Sequence, residues 1–249
     1  MRDQVPHRAL ETKTCVIQVD TTMNEDSSEP VCVGIILDGN RRWAKEHGLP
    51  TLEGHRAGSE KLKEVIHFVR ESGISHLVVY AFSTENWNRQ KEEVSYLMDL
   101  FRKAVQKEMK ELGKEGVRIR FVGQRERFSA DLQRAMNVTE EETRKNDTFT
   151  LWVCLSYGGR AEIVAAAKAA AKGGEVTEET LMQNLWTAEM PDPNIIIRTS
   201  GEKRLSGFLP WQSIYSELFF TDTKWPAFTK EEFDSILAEF AQRERRRGK

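Results

Sequence analysis

The sequence predicts an α/β fold with a central, mostly parallel sheet, and three observations carry that expectation. From Val31 onward, short apolar runs alternate with amphipathic segments, the rhythm of strand–helix–strand units. Two long segments repeat apolar residues at helical spacing. With 249 residues, 39% of them hydrophobic, the chain has enough apolar material for a real core in one large domain.

Met1 to Pro30 stands apart as a flexible N-terminal extension, because Asn24-Glu25-Asp26-Ser27-Ser28-Glu29-Pro30 is polar, acidic and closed by proline. Within it, Cys15-Val16-Ile17-Gln18-Val19 is compatible with a short edge strand and Met23 with an alternative start. The first strand of the domain is Val31 to Leu37. Leu62, Val65, Ile66 and Val69 then mark one helix, and His76 to Phe82 the second strand. Val94, Leu97, Met98, Phe101, Val105 and Leu112 mark a second, longer helix, followed by a strand over Val117 to Val122. Arg125 to Asn146 is a highly charged helix, Phe149 to Ser156 a strand, and Arg160 to Lys172 an alanine-rich helix stopped by Gly173-Gly174. Asn194 to Ile197 is the fifth strand. Thr229 to Arg246 is the last helix, with Thr229 as N-cap ahead of Glu231 and Glu232.

Charge and cysteine usage exclude several classes. The net charge of −2 balances 37 basic against 39 acidic residues, so no global basic field exists to hold a nucleic acid, and anion binding has to be local. Cys15, Cys32 and Cys154 form no C-x-x-C pair, which argues against a cysteine zinc site and for a reducing, cytoplasmic setting. No apolar stretch approaches the about 20 residues that span a bilayer, and no signal peptide is visible, so any membrane contact is expected to be peripheral.

In a parallel α/β sheet, ligands collect beyond the carboxyl ends of the strands. After the first strand comes Asp38-Gly39-Asn40-Arg41-Arg42-Trp43: a carboxylate able to hold Mg2+, a glycine that admits close backbone approach, and two guanidinium forks. The second strand is followed by Ser83-Thr84-Glu85-Asn86-Trp87-Asn88-Arg89, and the fifth by Arg198-Thr199-Ser200-Gly201-Glu202-Lys203-Arg204-Leu205-Ser206. Each block alone also reads as a polar turn, a capped helix start or a solvated charge run. Together they gather arginines at one edge of one sheet, which is stable only with anions between them.

Five blocks then carry a resemblance: Asp38-Gly39-Asn40-Arg41-Arg42-Trp43-Ala44; Gly54-His55-Arg56-Ala57-Gly58; Tyr80 through Arg89; Ile197-Arg198-Thr199-Ser200-Gly201-Glu202; and Trp211-Gln212 with Tyr215-Ser216-Glu217-Leu218. In this order they resemble the cis-prenyltransferases, whose bacterial type is undecaprenyl diphosphate synthase. The resemblance covers Val31 to the C-terminus, making 31–249 a single catalytic domain. It implies a homodimeric, Mg2+-dependent enzyme whose helices ring the sheet around an apolar tunnel, and which adds isopentenyl diphosphate to an allylic diphosphate with Z geometry. Farnesyl diphosphate is the expected primer and an undecaprenyl-type lipid-carrier precursor the expected product. Release of such a product implies transient contact with the inner membrane face.

By that resemblance Asp38 holds Mg2+ and Glu217 contributes a second metal-facing carboxylate. Gly39, Asn40, Arg41 and Arg42 hold the allylic diphosphate with Trp43 and His55 nearby, Gly54 and Gly58 forming a tight turn around the histidine. Arg198, Arg204, Leu205 and Ser206 form the isopentenyl diphosphate site. Ser83, Thr84, Glu85, Trp87 and Arg89 line the pocket, and Glu93 holds an arginine in place. Asn86 stands where the family's proton acceptor is usually assigned, but an amide is a poor base, so orientation is its expected role, with released diphosphate or water taking the proton. Arg246-Arg247-Gly248 resembles the family's Arg-x-Gly ending, which reaches the site across the dimer; a solvated basic tail is the other reading.

Several residues depart from the family pattern. Thr51 replaces a common arginine, Arg41 a glycine, Gln90 a proline and Gly207 an asparagine. Phe149 and Trp152, bulky where leucine and asparagine are frequent, are expected to fill the tunnel floor and favour short- or medium-chain products, whereas small Ala81 argues for longer ones. Two rival classes fit these residues less well. A non-catalytic partner subunit would lack Asp38, Asn86 and Arg89, and a phosphohydrolase with Asp38 as nucleophile would want an aspartate where Asn40 stands.

Overall fold

The computed structural model describes residues 30–244, so the expectations for the Cys15–Val19 strand and the Arg246-Arg247-Gly248 ending lie outside the described residues. Six parallel strands form one sheet, in the order β3-β4-β2-β1-β5-β6: β1 Cys32–Ile36, β2 His76–Ser83, β3 Val117–Val122, β4 Phe149–Tyr157, β5 Ile195–Arg198 and β6 Glu217–Phe220. The five strands read from sequence are present within a residue or two of their expected ends; β6, four residues opened by a glutamate, was not foreseen.

Alternation along the strands splits the interior in two. Val33, Ile35, Leu77, Val79, Leu151, Val153, Ile195 and Ile197 face the larger core. It packs against helices α2 (Thr51–Glu71), α3 (Lys91–Lys103), α4 (Met109–Lys114), α5 (Ala130–Thr143) and α8 (Lys230–Gln242). Cys32, Val78, Trp152, Cys154 and Ile196 face a smaller core closed by Phe208, Leu209, Trp186 and Met190. The expected 94–112 helix is continuous, but its middle, Ala104–Glu108, widens to a π turn between α3 and α4. The charged helix begins only at Ala130, where Ser129 caps it, and Thr229 caps α8 as expected.

Two elements at the head of the domain differ from the expected loops. Asn40–Glu46 is a short helix, α1, entered through Gly39 at φ 102, a left-handed turn that side chains resist. Gly54 and Gly58 form no turn; they lie inside α2 and let it approach α1, since a Cβ on Gly54 would stand 2.0 Å from the Asn40 carbonyl oxygen. The remaining helices are α6 (Gly159–Gly173) and α7 (Glu178–Gln183). Among the described residues, no helix is long and apolar enough to cross a membrane.

Candidate active site

The carboxyl ends of β1, β2, β4 and β5 open into one cavity of about 1390 Å³. Its floor is set by β1, whose chain leaves the sheet at Asp38. There Asp38 N–H donates to Thr199 Oγ1 at 3.0 Å and Thr199 Oγ1–H donates back to the Asp38 carbonyl at 2.7 Å, tying the ends of β1 and β5 together. Asp38 carries two guanidinium partners. Arg198 meets Oδ2 at 2.8 Å and Arg42 approaches Oδ1 at 3.3 Å, while a second Arg198 nitrogen donates to Ser206 Oγ at 2.8 Å. Arg198 is almost fully buried, so this charge is held by Asp38, Ser206 and the Arg204 carbonyl rather than by water. Arg42 also reaches Glu202, at 3.4 Å.

A second knot closes the opposite wall. Buried His55, from α2, donates through Nε2 to Glu93 Oε1 at 3.0 Å; Arg89 binds the same oxygen at 3.0 Å, and Arg41 lies 3.9 Å from Oε2. Burial pulls the His55 pKa below its usual 6.5, against the opposing pull of Glu93. Burial would raise the Glu93 carboxyl, but the His55 hydrogen bond and the arginine charges outweigh it and hold its pKa below the ordinary 4.5. His76, outside the site, is pulled down to about 4 by burial and by Arg118.

Both depressed histidines bind protons more readily when unfolded, so their contribution to stability is complete above about pH 6.5 and is lost as pH falls below it, for His76 down to about 4. Asp192, raised by burial, works in the opposite sense. The thermal midpoint is therefore expected to fall between pH 7 and pH 4.5, measured by circular dichroism, and His76→Gln is expected to flatten the lower part of that slope.

Ser83, Thr84, Glu85, Asn86 and Arg89 line the cavity from the 3-10 turn Thr84–Asn88 and its flanks. Asn86 Oδ1 accepts from the Ser83 backbone N–H at 3.0 Å, which fixes the orientation of the amide. Gly39, Asn40, Arg41, Arg42 and His55 also line it, and the N–H groups of Asn40 to Arg42 precede the first intrahelical bond, Trp43 N–H to Gly39 O.

Five expected residues stand elsewhere. Trp43 stacks on His47 at 4.2 Å between ring centres, one turn along α1 and away from the cavity. Trp87 packs against Phe82 and Phe128, its indole N–H on Ser156 Oγ. Arg204 turns its guanidinium outward to Glu202 at 2.5 Å, and only its carbonyl serves Arg198. Leu205 packs on the smaller core. Glu217 begins β6 opposite Ile195, at the end of the sheet away from Asp38, and pairs with Arg243 at 2.6 Å. Within one chain it is not brought to Asp38.

Among the described residues no group of three or more histidines, cysteines or carboxylates converges. Asp38, at the mouth of an anion pocket that Glu85 also lines, nevertheless suits magnesium, which typically takes one or two protein carboxylates plus substrate phosphates and water.

Among the cavity residues that escaped the sequence reading are Lys45 and Arg160. Arg160 was legible, since the rule of looking past each strand end applies equally to β4, whose end is Tyr157-Gly158-Gly159-Arg160. Gly207, at φ +82, accounts for a residue there that tolerates the left-handed region.

A narrower apolar cavity of about 90 Å³ runs on from the first, sharing Leu37, Asn40, His55, Ala81 and Leu97 with it, between α2, the α3–α4 helix and the sheet. Phe101, Met109, Leu112 and Phe121 form its far wall. Trp152 does not, because alternation puts it on the other face of the sheet, stacked on His76; Phe149 faces the correct core but lies behind Val153 and Leu155, which do line the cavity. The bulky residues expected at the tunnel floor are therefore not there. The space is also smaller than the about 150 Å³ of a cavity that binds one benzene, so an open channel is not formed.

Residues 36–248 match the family model described as "Putative undecaprenyl diphosphate synthase". An isoprenyl transferase of Thermotoga maritima is 46% identical over 225 residues, covering 88% of this chain and 97% of that protein. A ditrans,polycis-undecaprenyl-diphosphate synthase of Legionella pneumophila, named as (2E,6E)-farnesyl-diphosphate specific, is 44% identical, covering 88% of this chain and 95% of that protein. A crystal structure of lavandulyl diphosphate synthase from Lavandula x intermedia, in complex with dimethylallyl diphosphate, superposes with a TM-score of 0.86 at 33% identity, covering 89% of this chain and 99% of that one.

Proposed function

Because the chain belongs to the undecaprenyl diphosphate synthase family of prenyltransferases, we propose that it condenses isopentenyl diphosphate with an allylic diphosphate, farnesyl diphosphate first, to give Z-polyprenyl diphosphates. One observation supports this most: the charged cavity, with guanidinium groups on two walls, continues into an apolar one at Ala81 and Leu97. A diphosphate head with a hydrocarbon tail matches that sequence of surfaces.

In this reading the allylic diphosphate lies on Arg41, Arg89 and the amides of Asn40 to Arg42, and isopentenyl diphosphate on Arg198 and Ser206. The allylic C–O bond breaks with its electron pair passing to the diphosphate, the isopentenyl double bond supplies the pair for the new C–C bond, and the resulting cation loses a proton. Arginine and amide donors aimed at the leaving oxygens stabilise the charge that grows there. Magnesium, held by Asp38 together with diphosphate oxygens, would supply further neutralisation. Asn86 orients the reacting ends, and the departing diphosphate or water takes the proton.

The growing tail enters the 90 Å³ cavity by parting α2 from the α3–α4 helix, whose π turn forms part of the wall. A homodimer belongs to the same reading, supported by apolar residues left exposed on and before edge strand β6, Ile214 and Leu218 among them. So do the cytoplasmic setting and contact with the inner membrane surface during product release.

Radiolabelled isopentenyl diphosphate, supplied with farnesyl diphosphate and Mg2+, is expected to enter a butanol-soluble product. Absence of incorporation by well-folded protein would reject the reading. Ala81 lines both cavities where they meet, so Ala81→Leu is expected to shorten the products seen by chromatography after dephosphorylation, leaving the KM for isopentenyl diphosphate within about twofold. Unchanged lengths would take Ala81 off the path of the tail.

A further inference from the structure

Six cationic side chains line the large cavity: Arg41, Arg42, Lys45, Arg89, Arg160 and Arg198. Four have a carboxylate partner, Arg198 and Arg42 at Asp38, and Arg89 and Arg41 at Glu93. Among the described residues, Arg160 and Lys45 have no ion pair.

Arg160 is the more informative of the two, because its backbone is fixed against the residues that hold Arg198. Gly159 N–H donates to the Gly207 carbonyl at 2.9 Å, and Tyr80 Oη–H donates to the Tyr157 carbonyl at 3.2 Å and the Ser206 carbonyl at 3.4 Å. The fit leaves no room for adjustment: a Cβ on Gly159 would lie 2.0 Å from Pro210 Cδ, and one on Gly158 2.5 Å from Thr84 Oγ1. Arg160 thus rises from a rigid corner beside Ser206–Gly207, with its side chain in the cavity and exposed.

The carboxylate nearest in sequence cannot neutralise it. Glu162 is fully buried and faces away, accepting from Tyr157 Oη at 2.5 Å, Thr187 N–H at 3.0 Å, Thr187 Oγ1 at 2.8 Å and Gln212 Nε2 at 3.1 Å. A positive group without an ion pair, lining the same cavity as buried Arg198, whose Nε also has no partner, offers its charge to an anion from outside the protein.

We propose that Arg160 is a further binding residue for the diphosphate of isopentenyl diphosphate, acting with Arg198 and Ser206 and setting affinity for that substrate rather than for the allylic one. This rests on the function proposed above. Removing one charge-assisted contact is expected to weaken binding by about 10- to 100-fold.

The test compares Arg160→Gln and Arg160→Lys with the parent, using both KM values and calorimetric titration of isopentenyl diphosphate without an allylic partner, where nothing is turned over. The expected result is a KM and a Kd for isopentenyl diphosphate raised about tenfold or more in Arg160→Gln and partly restored in Arg160→Lys, with the farnesyl diphosphate KM within about twofold. Unchanged values, or a rise in the farnesyl diphosphate KM alone, would overturn the assignment. A parent that binds isopentenyl diphosphate but incorporates none would reject the enzymatic reading and leave the titration to decide the role of Arg160.

Discussion

Asp38→Asn is expected to lower kcat for isopentenyl incorporation by about 10²- to 10³-fold while its thermal midpoint stays within about 5 °C of the parent. The two halves of this expectation have separate physical origins. Asparagine keeps an acceptor oxygen for Arg198, which sits 2.8 Å from Asp38 and retains its bonds to Ser206 and to the Arg204 carbonyl, so the buried guanidinium is not stranded. The backbone clasp with Thr199 is untouched by the change. What disappears is the anionic charge that draws Arg198 and Arg42 together and that a magnesium–diphosphate complex requires. Steady-state kinetics with farnesyl diphosphate, paired with a melting curve, read both quantities. Full activity in this variant would remove Asp38 from the chemistry.

Replacing Glu93 is expected to damage stability and primer binding together. Its carboxylate is buried and gathers His55, Arg89 and Arg41 into one knot. Glu93→Leu leaves the buried His55 N–H without its acceptor and frees two guanidinium groups to repel one another, a loss of about 3 kcal/mol. For a chain of this size that lowers the midpoint by about 6–12 °C. Arg41 and Arg89 also lose the anchor that aims them, so the KM for farnesyl diphosphate is expected to rise about tenfold, with little change for isopentenyl diphosphate. Glu93→Gln keeps an acceptor for His55 and should cost less than half as much. Equal effects from the two variants would show that the charge, which both remove, and not the hydrogen-bond acceptor, is what the position supplies.

The contrast between what the chain announces and what it conceals follows from which forces act locally. Strand ends were legible because apolar runs such as Val31 to Leu37 stop abruptly at polar residues, and three of the four strand ends that build the cavity were located that way. Helix α1 was hidden because Asp38-Gly39 reads as a turn, and the left-handed entry at Gly39 that starts the helix leaves no other mark. The glycines of α2 looked like a turn for the same reason, although their purpose is the close approach to Asn40.

Side-chain direction was the least legible quantity. Trp43 and Trp87 belong to blocks that line the cavity, yet helical rotation sends one to the surface of α1, and aromatic packing draws the other into the core. Trp152 and Phe149 were misjudged because sequence position alone does not say which face of β4 a residue occupies, whereas the neighbouring strands decide it. Glu217 lies on a strand too short to be recognised, so its place at the far end of the sheet could not be anticipated.

The central claim is that one pocket seats two diphosphates at the mouth of an expandable apolar space. It is tested most directly by mass spectrometry and carbon NMR of the product formed from farnesyl diphosphate, isopentenyl diphosphate and Mg2+. The account predicts a series of polyprenyl diphosphates growing in steps of one isoprene unit, with every newly formed double bond in the Z geometry. Recovery of only farnesol and phosphate, or of new double bonds in the E geometry, would contradict it.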